Sequence, residues 1–596
     1  MCAINGFNFK DIELINKMSA LTSSRGPDSK GFYSNNDYTV GHNRLAIIDP
    51  DKRANQPFKF KDYILSFNGE IYNYMDLKKK LIESGYQFET TSDTEVIIKL
   101  FDLEGINSFK KLSGIFALSI YDVKLKKLFL IRDIVGVKPL YYYYEPNTQK
   151  FIYSSLISCL LLSLKEKQLN NNALISYSNF NRNDFKETFF KNIYKVLPGE
   201  LIEISKGNYK KKKFLDFEFT NTNNNFNSSK EINHYFSKQF ISDVPVALSL
   251  SGGIDSNIIF HELLKNKGTQ FTNYSVLFKN SHKYTQDHDV AKNISDAYGV
   301  KFNSIEINSN DFMENAEKIV DIVEEPTGNT NSIANFILSK NISEKVLFSG
   351  DGGDEVFTGY DKYKSIYIVS LLNRMNIFKG SILNLNFKSK NINRIFMNSS
   401  KDLYLSFSEQ NLFKNQNKIY NDFNCIKKGD LQEMLNHTKN LNNNPNLANV
   451  MYHDLDTWVP NDILLRNDKI YSNKGIEARV PFLDKNIIEK FLMTNDYKKF
   501  GLFFNSKNLL KKSYKKELNM TLKNKLGFNS PFAGWLRNEL YEFAQGVLSK
   551  NYYDSSSYIN LSECQKLIKK HKDEYCDPYL IWNLISLQIF LRKFKL

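Results

Sequence analysis

VPVALSLSGGIDSN, residues 244–257, decides the fold of the second half of the chain. An apolar, β-branched run enters a glycine pair, and a helical pattern follows at or just after Asp255. Gly252 and Gly253 permit close backbone approach. Their amides, the hydroxyls of Ser251 and Ser256, and the helix N-terminus can together surround an anion. No GK[ST] follows, so this is not a Walker A loop. The strand–SGGxDS–helix order points to the pyrophosphate loop of an adenylating enzyme. Asp255 has the wrong charge to attract phosphate and is expected to orient the loop or reach a magnesium ion.

A second loop, LFSGDGGDEVFTGY (347–360), also leaves an apolar strand. It sets Asp351, Asp354 and Glu355 among glycines. Such acids repel unless a cation or a basic group meets them, so they suit metal binding or base chemistry. Further apolar runs, FNSIEI and KVLFSG, alternate with helical patterns, which implies a parallel sheet with ligands at its strand ends.

The first 205 residues read differently. DYTVGHNRLAIID, YILSFNGEIYN, GIFALSIYD, KKLFLIRD and KPLYYYYE are short alternating or apolar runs between turns, and helices are expected at 76–84 and 93–103 with Asp93 as an N-cap. This predicts a layered α+β domain. FTNTNNNFNSSK (219–230) has few core formers and reads as a linker. Residues 375–447 are Asn- and Lys-rich and read as helices and loops decorating the second domain. YLIWNLISLQIFLRKF (579–594) reads as a buried helix rather than a membrane span.

Cys2 stands beside the chain start. With Met1 removed, its thiol and its own α-amine share a residue, and an amine titrating near ~8 can take the thiol proton.

The chain has 596 residues, enough for two or three domains. Its five cysteines form no CxxC pair, so neither a disulfide framework nor a structural zinc site is indicated. The start shows no basic segment followed by an apolar one, and no run of ~18 apolar residues occurs. A cytoplasmic, reducing setting without membrane partners is expected. The net charge of +15 is spread along the chain, and its one short run, Lys210–Lys213, lacks interleaved aromatics. That reads as a lysine-rich solvated surface, not a nucleic-acid site.

Taken in order, MCAINGF, SSRGPDSKG, VGHNRLAIID, SFNGEIYNY, TSDTEVI, GIFALSIYD, RDIVGVKPLYYY, the two loops, LRNDKIYSNKGIEARVPFLD and KNKLGFNSPFAGWL resemble the glutamine-dependent asparagine synthetases over nearly the whole chain. The resemblance implies a class II glutaminase domain of Ntn-hydrolase type at 1–205, a connection at 206–230, and an ATP pyrophosphatase-type synthetase domain at 231–596. It makes Cys2 the nucleophile and Asn68 and Gly69 the oxyanion donors. Arg44 grips the glutamine carboxylate, Asp93 receives its amino group, and Glu70 helps hold it. Leu250, Ser251, Gly252, Gly253, Asp255, Ser256, Ser349 and Gly350 bind ATP. Asp255 and Asp354 organise Mg2+, Asp351 deprotonates ammonia, Lys469 stabilises phosphate charge, and Glu355 supports the acceptor. The implied substrates are L-glutamine, L-aspartate and ATP, with ammonia passing internally between centres. A homodimer is compatible with this family.

The chain departs from the family pattern at Ala3, at Ser24 (usually histidine), at Ile134, and along Tyr471, Ser472, Asn473 and Gly475. This last segment is expected to reshape the acceptor pocket. It keeps open a related amidotransferase acting on another carboxylate, such as one on a surface sugar or a small metabolite. A non-catalytic scaffold that kept the fold is the third alternative.

Overall fold

The computed structural model describes residues 1–205, 207–218, 228–279, 282–374, 419, 447–502, 504–521, 530–549, 558–574 and 578–596. Most of the expected linker, nearly all of 375–447, and the start of KNKLGFNSPFAGWL lie outside the described residues.

In chain order, the N-terminal strands are β1 (Ala3–Phe7), β2 (Ser29–Ser34), β3 (Thr39–Arg44), β4 (Phe58–Phe60), β5 (Tyr63–Ile71) and β6 (Gly114–Asp122). They continue as β7 (Lys127–Arg132), β8 (Tyr141–Glu145), β9 (Lys150–Ser154), β10 (Ile193–Lys195), β11 (Glu200–Ser205) and β12 (Asn208–Lys213). They form two six-stranded sheets, ordered β10-β8-β9-β1-β3-β2 and β12-β11-β7-β6-β5-β4. Neighbouring strands in both run antiparallel.

Ile4, Val40 and Tyr153 of the first sheet pack on Ile64, Ala117, Tyr121 and Leu130 of the second. Tyr153 donates to Ser119 Oγ across this layer at 3.0 Å, satisfying a hydroxyl that burial would otherwise penalise. The helices Tyr74–Glu83 and Asp93–Glu104 cover the outer face of the second sheet through Leu77, Leu81, Ile97 and Phe101. Asp93 is the first helical residue. Ser92 is the cap, its hydroxyl accepting from Thr94 N, which frees the Asp93 carboxylate for another task. The Lys210–Lys213 run forms an exposed edge strand, where lysines discourage further strand pairing.

The second half contains β13 (Val246–Ser249), β14 (Thr272–Phe278), β15 (Lys301–Ile307), β16 (Val346–Phe348) and β17 (Glu477–Arg479), all parallel, in the order β15-β14-β13-β16-β17. The chain steps outward from β13 to β15, then crosses to β16 on the other side. This reversal puts a crevice at the carboxyl ends of β13 and β16, where both glycine loops begin. The apolar C-terminal helix, Pro578–Phe594, is buried along most of its length. Among the described residues, no helix is long and apolar enough to cross a membrane.

The halves meet across buried charges. Arg25 Nη1 lies 2.8 Å from Asp468 Oδ2, and Lys138 Nζ lies 3.6 Å from Glu477 Oε2, all four side chains almost fully shielded from water.

Candidate functional site

The first centre forms where β1, β3 and β5 converge. Ala3 pairs with Asn43, so Cys2 falls opposite Arg44 and meets Leu45. Leu45 N–H donates to Cys2 Sγ at 3.4 Å. Burial pushes the thiol pKa up, while the nearby N-terminus and the Leu45 contact oppose that push. Met1 is also buried, and desolvation lowers its α-amine to about 5. Lys138 Nζ points at the Met1 thioether, 2.7 Å away.

Asn68 and Gly69 lie within β5. The Asn68 side chain is fully buried, and neither its Nδ2 nor its Oδ1 has a hydrogen-bond partner among the described residues. A buried amide without partners is costly, which is what a donor reserved for a ligand looks like. Gly69 has φ +145°, and a Cβ there would lie 1.9 Å from Ile115 O, so only glycine fits. His42 fixes this stretch by bonding Phe67 O through Nε2 at 2.9 Å. Burial depresses its pKa to about 3, which leaves the imidazole neutral. The sequence reading passed over His42, since a lone histidine in a strand carries no signal.

Arg44 is held by carbonyls: Nη1 donates to Asp51 O (2.9 Å) and to Asn55 Oδ1 (2.8 Å), and Nη2 to Ile48 O and Asp49 O. It makes no ion pair among the described residues, so its charge is free to meet a carboxylate. Asp93 Oδ2 accepts from Ile71 N at 3.0 Å, and burial raises its pKa to about 6. Glu70 reaches Arg479 of the second half, 3.3 Å from its Nη2.

The second centre is a cleft of about 850 Å3 at the switch point of the parallel sheet. Leu250, Ser251, Asp255, Ser256, Ser349, Gly350, Asp351, Asp354 and Glu355 all line it. Gly252 and Gly253 do not. Gly253 is the N-cap residue of the helix Ile254–Lys267. The two loops touch closely: a Cβ on Gly353 would lie 2.6 Å from Asp255 Cγ. Asp351 Oδ2 accepts from Ser349 Oγ and from Asn467 Nδ2, each at 2.7 Å. Glu355 Oε1 accepts from Tyr360 OH at 2.7 Å, and burial beside Asp354 raises its pKa to about 8.

Asp255 and Asp354 converge on one positive charge, the Lys507 ammonium, which lies 2.5 Å from Asp255 Oδ2 and also pairs with Asp354. Two carboxylate donors aimed at a single point suit a hard divalent cation. Among the described residues, no group of three or more His, Cys, Asp or Glu side chains gathers at a metal position.

A glutamine amidotransferase domain model matches residues 1–215, and an asparagine synthase model matches residues 230–592. The chain belongs to the asparagine synthase family. It is 29% identical to glutamine-hydrolyzing asparagine synthetase 1 of Bacillus subtilis (strain 168), over 97% of this chain and 94% of that protein. Glutamine-hydrolyzing asparagine synthetase 3 of the same organism is 26% identical, over 82% of this chain and 80% of its own. Amidase chry2 of Gibberella zeae is 29% identical, over 61% of this chain and 57% of its own.

Within this family member, two sequence expectations meet a different geometry. Lys469 does not line the cleft. Asn467 and Tyr471, on the same helix (Leu464–Ser472), face it, and the position between them points away. Lys469 is buried instead against Glu324 (2.8 Å) and Val323 O (2.7 Å), over the Tyr141 ring of the first half. Glu324 in turn accepts from the amides of Ile157 and Ser158, so Lys469 helps join the halves. Among the described residues, the cleft's cationic side chains are Arg466, Lys507 and Lys511. The sequence reading missed Lys507 and Lys511, which sit in SKNLLKK without motif or glycine punctuation.

The departing segment is the second case. Only Tyr471 lines the cleft. Ser472 Oγ accepts from Arg25 Nη1 at 2.8 Å, and a Cβ on Gly475 would meet Pro27 Cγ at 3.3 Å and the carbonyl of Ser24 at 3.8 Å. The Ser24 departure and the Ser472–Gly475 departure therefore face each other across the domain interface.

Proposed function

We propose that this chain makes L-asparagine from L-aspartate, L-glutamine and ATP, releasing L-glutamate, AMP and diphosphate. The observation that carries the reading is that one chain joins both centres in the order, and over nearly the full length, of the B. subtilis synthetase.

At the first centre, Cys2 Sγ attacks the side-chain amide carbon of glutamine. After Met1 is removed, the α-amine of Cys2 takes the thiol proton and passes it to the departing nitrogen. Asn68 Nδ2 and the Gly69 N–H receive the developing oxyanion. Ammonia leaves, and water cleaves the thioester to glutamate. Arg44 takes the glutamine α-carboxylate, and Asp93 with Glu70 takes its ammonium.

At the second centre, the aspartate β-carboxylate attacks the α-phosphorus of ATP. β-Aspartyl-AMP forms and diphosphate leaves. Ammonia then attacks the acyl carbon, AMP departs, and Asp351 takes the excess proton. The loop from Leu250 to Ser256, together with Ser349 and Gly350, holds the nucleotide, with Lys507 and Lys511 as the nearby cations. Glu355 lines the acceptor side. Asp255 and Asp354 would hold Mg2+, which supplies charge neutralisation on the phosphates.

The test uses enzyme freed of Met1, with ATP, Mg2+, aspartate and glutamine labelled at its amide nitrogen. Labelled asparagine and AMP in equal amounts are expected. Glutamate without asparagine sinks the aspartate assignment and directs the search to another carboxylate.

A further inference from the structure

Arg479 is fully buried at the end of β17, and it touches both centres. Its side chain crosses to the first half. Nη2 lies 3.3 Å from Glu70 Oε1, and Glu70 directly follows the oxyanion pair Asn68 and Gly69. The guanidinium is fixed on its other edges. Nε lies 2.7 Å from Glu477 Oε1, and Nη1 donates to Gln239 O (2.8 Å) and Ile241 O (2.6 Å). Its backbone serves the second centre, since Ser349 N donates to Arg479 O at 3.1 Å. Ser349 Oγ then bonds Asp351 at 2.7 Å. One residue thus grips a carboxylate of the glutaminase strand and anchors the first turn of the acidic ATP loop.

Glu70 is almost fully shielded from water, and its second oxygen, Oε2, has no partner among the described residues. A buried carboxylate with an open oxygen is poised for a cationic ligand. Burial and the neighbouring Glu477 push the Glu70 carboxyl up, and Arg479 is the first opposing influence. The guanidinium favours the charged form of Glu70, the form that pairs with an ammonium.

We infer that Arg479, supplied by the synthetase half, is a positioning residue of the glutaminase centre: it keeps Glu70 in place for the glutamine ammonium and ties that contact to the loop running from Ser349 to Asp351. This rests on the glutaminase reading above. Two consequences follow. The first half alone lacks a part of its substrate site. Filling of the ATP cleft can be felt at the glutamine pocket through about one residue of backbone.

Glutamate release by full-length enzyme freed of Met1 tests this, with kcat and KM for glutamine measured with and without ATP plus aspartate. Arg479→Lys keeps the charge and loses the fork. It is expected to raise glutamine KM about tenfold with kcat within about twofold, because a Lys ammonium cannot hold the Glu70 ion pair in the fork geometry. Glutamine KM is expected to respond to ATP plus aspartate in the wild type and not in Arg479→Lys. Glu70→Gln should raise KM similarly, and the double variant should be no worse than the worse single change. Additive effects, an unchanged KM in Arg479→Lys, or a wild-type KM that ignores ATP and aspartate overturns the inference. If Arg479→Lys does not fold, Glu70→Gln decides, since loss of the wild-type response to ATP and aspartate is then expected from it alone. Asparagine formation from free ammonia is read separately on the wild type. An enzyme that makes no asparagine yet shows the KM pattern overturns the acceptor assignment and leaves this inference standing.

Discussion

Lys507 Nζ donates to Asp255 Oδ2 at 2.5 Å across 252 positions of sequence, and the same ammonium pairs with Asp354. Both glycine loops are thereby locked to one cation. The two carboxylates hold the Lys507 pKa well above its ordinary value despite its burial. Removing that cation leaves two acids facing each other at the mouth of the cleft. Lys507→Met is expected to cut aspartate-dependent diphosphate release by at least ~100-fold. It should also lower stability by about 3 kcal/mol, as breaking a buried pair does. Raising Mg2+ should recover part of the activity, because a divalent ion can take the shared position. A diphosphate assay over a Mg2+ series checks this, and activity within twofold of wild type defeats it.

In the proposed reaction, Cys2 acts only when its nitrogen is an amine. With Met1 in place that nitrogen is an amide, and the Met1 thioether occupies the space beside Lys138. Cys2→Ala, and equally a chain with Met1 retained, should lose glutamate release by at least roughly a thousandfold. Ammonium chloride should restore asparagine in both. A retained-Met1 enzyme that hydrolyses glutamine normally would refute the role of the α-amine.

Gly69→Ala tests the oxyanion strand. The new Cβ would fall 1.9 Å from Ile115 O at a φ of +145°, where side chains are strained and the neighbour is backbone. β5 must then move away from β6, taking Asn68 with it. A loss of about 2–4 kcal/mol is expected, with glutaminase activity lost even at temperatures where the protein stays folded. Denaturant melts paired with glutamate assays read both effects.

Much of this was legible because its cause is local. Glycine pairs after apolar β runs announced both loops, whereas Asn68 and Gly69 were marked only by the family resemblance. The Asp93 helix began where expected, although Ser92 took the capping role and left the Asp93 carboxylate to bond Ile71. What escaped was long-range. Lys507 reaches its acids only through tertiary packing, and nothing in a lysine-rich stretch marks one lysine as buried. Lys469 lies within a motif, yet helical phase turns it away from the cleft and into the domain interface. The Ser472–Gly475 segment likewise contacts the SRGPD loop, a pairing of residues about 450 apart that periodicity cannot reveal.

The acid limb of glutamine use should follow Asp93. Burial raises its carboxyl from 3.8 to about 6, so it is charged above that value and neutral below it. A neutral Asp93 cannot pair with the glutamine ammonium. Glutamine KM should therefore be flat above about pH 7 and rise up to ~10-fold per unit below about 6, with kcat at saturating glutamine changing less. Stability runs the other way. Because the folded-state pKa is raised, the Asp93 contribution is fully present below 3.8 and is lost as pH rises through about 6. The KM rise on acidification thus cannot come from unfolding at this residue. Asp93→Asn should be at least as stable as wild type at pH 7, with a high glutamine KM that no longer varies near pH 6. Steady-state glutaminase kinetics from pH 5 to 8, beside thermal melts of both proteins, separate the two effects. A KM that stays flat through pH 6 in the wild type would remove Asp93 from the ammonium site.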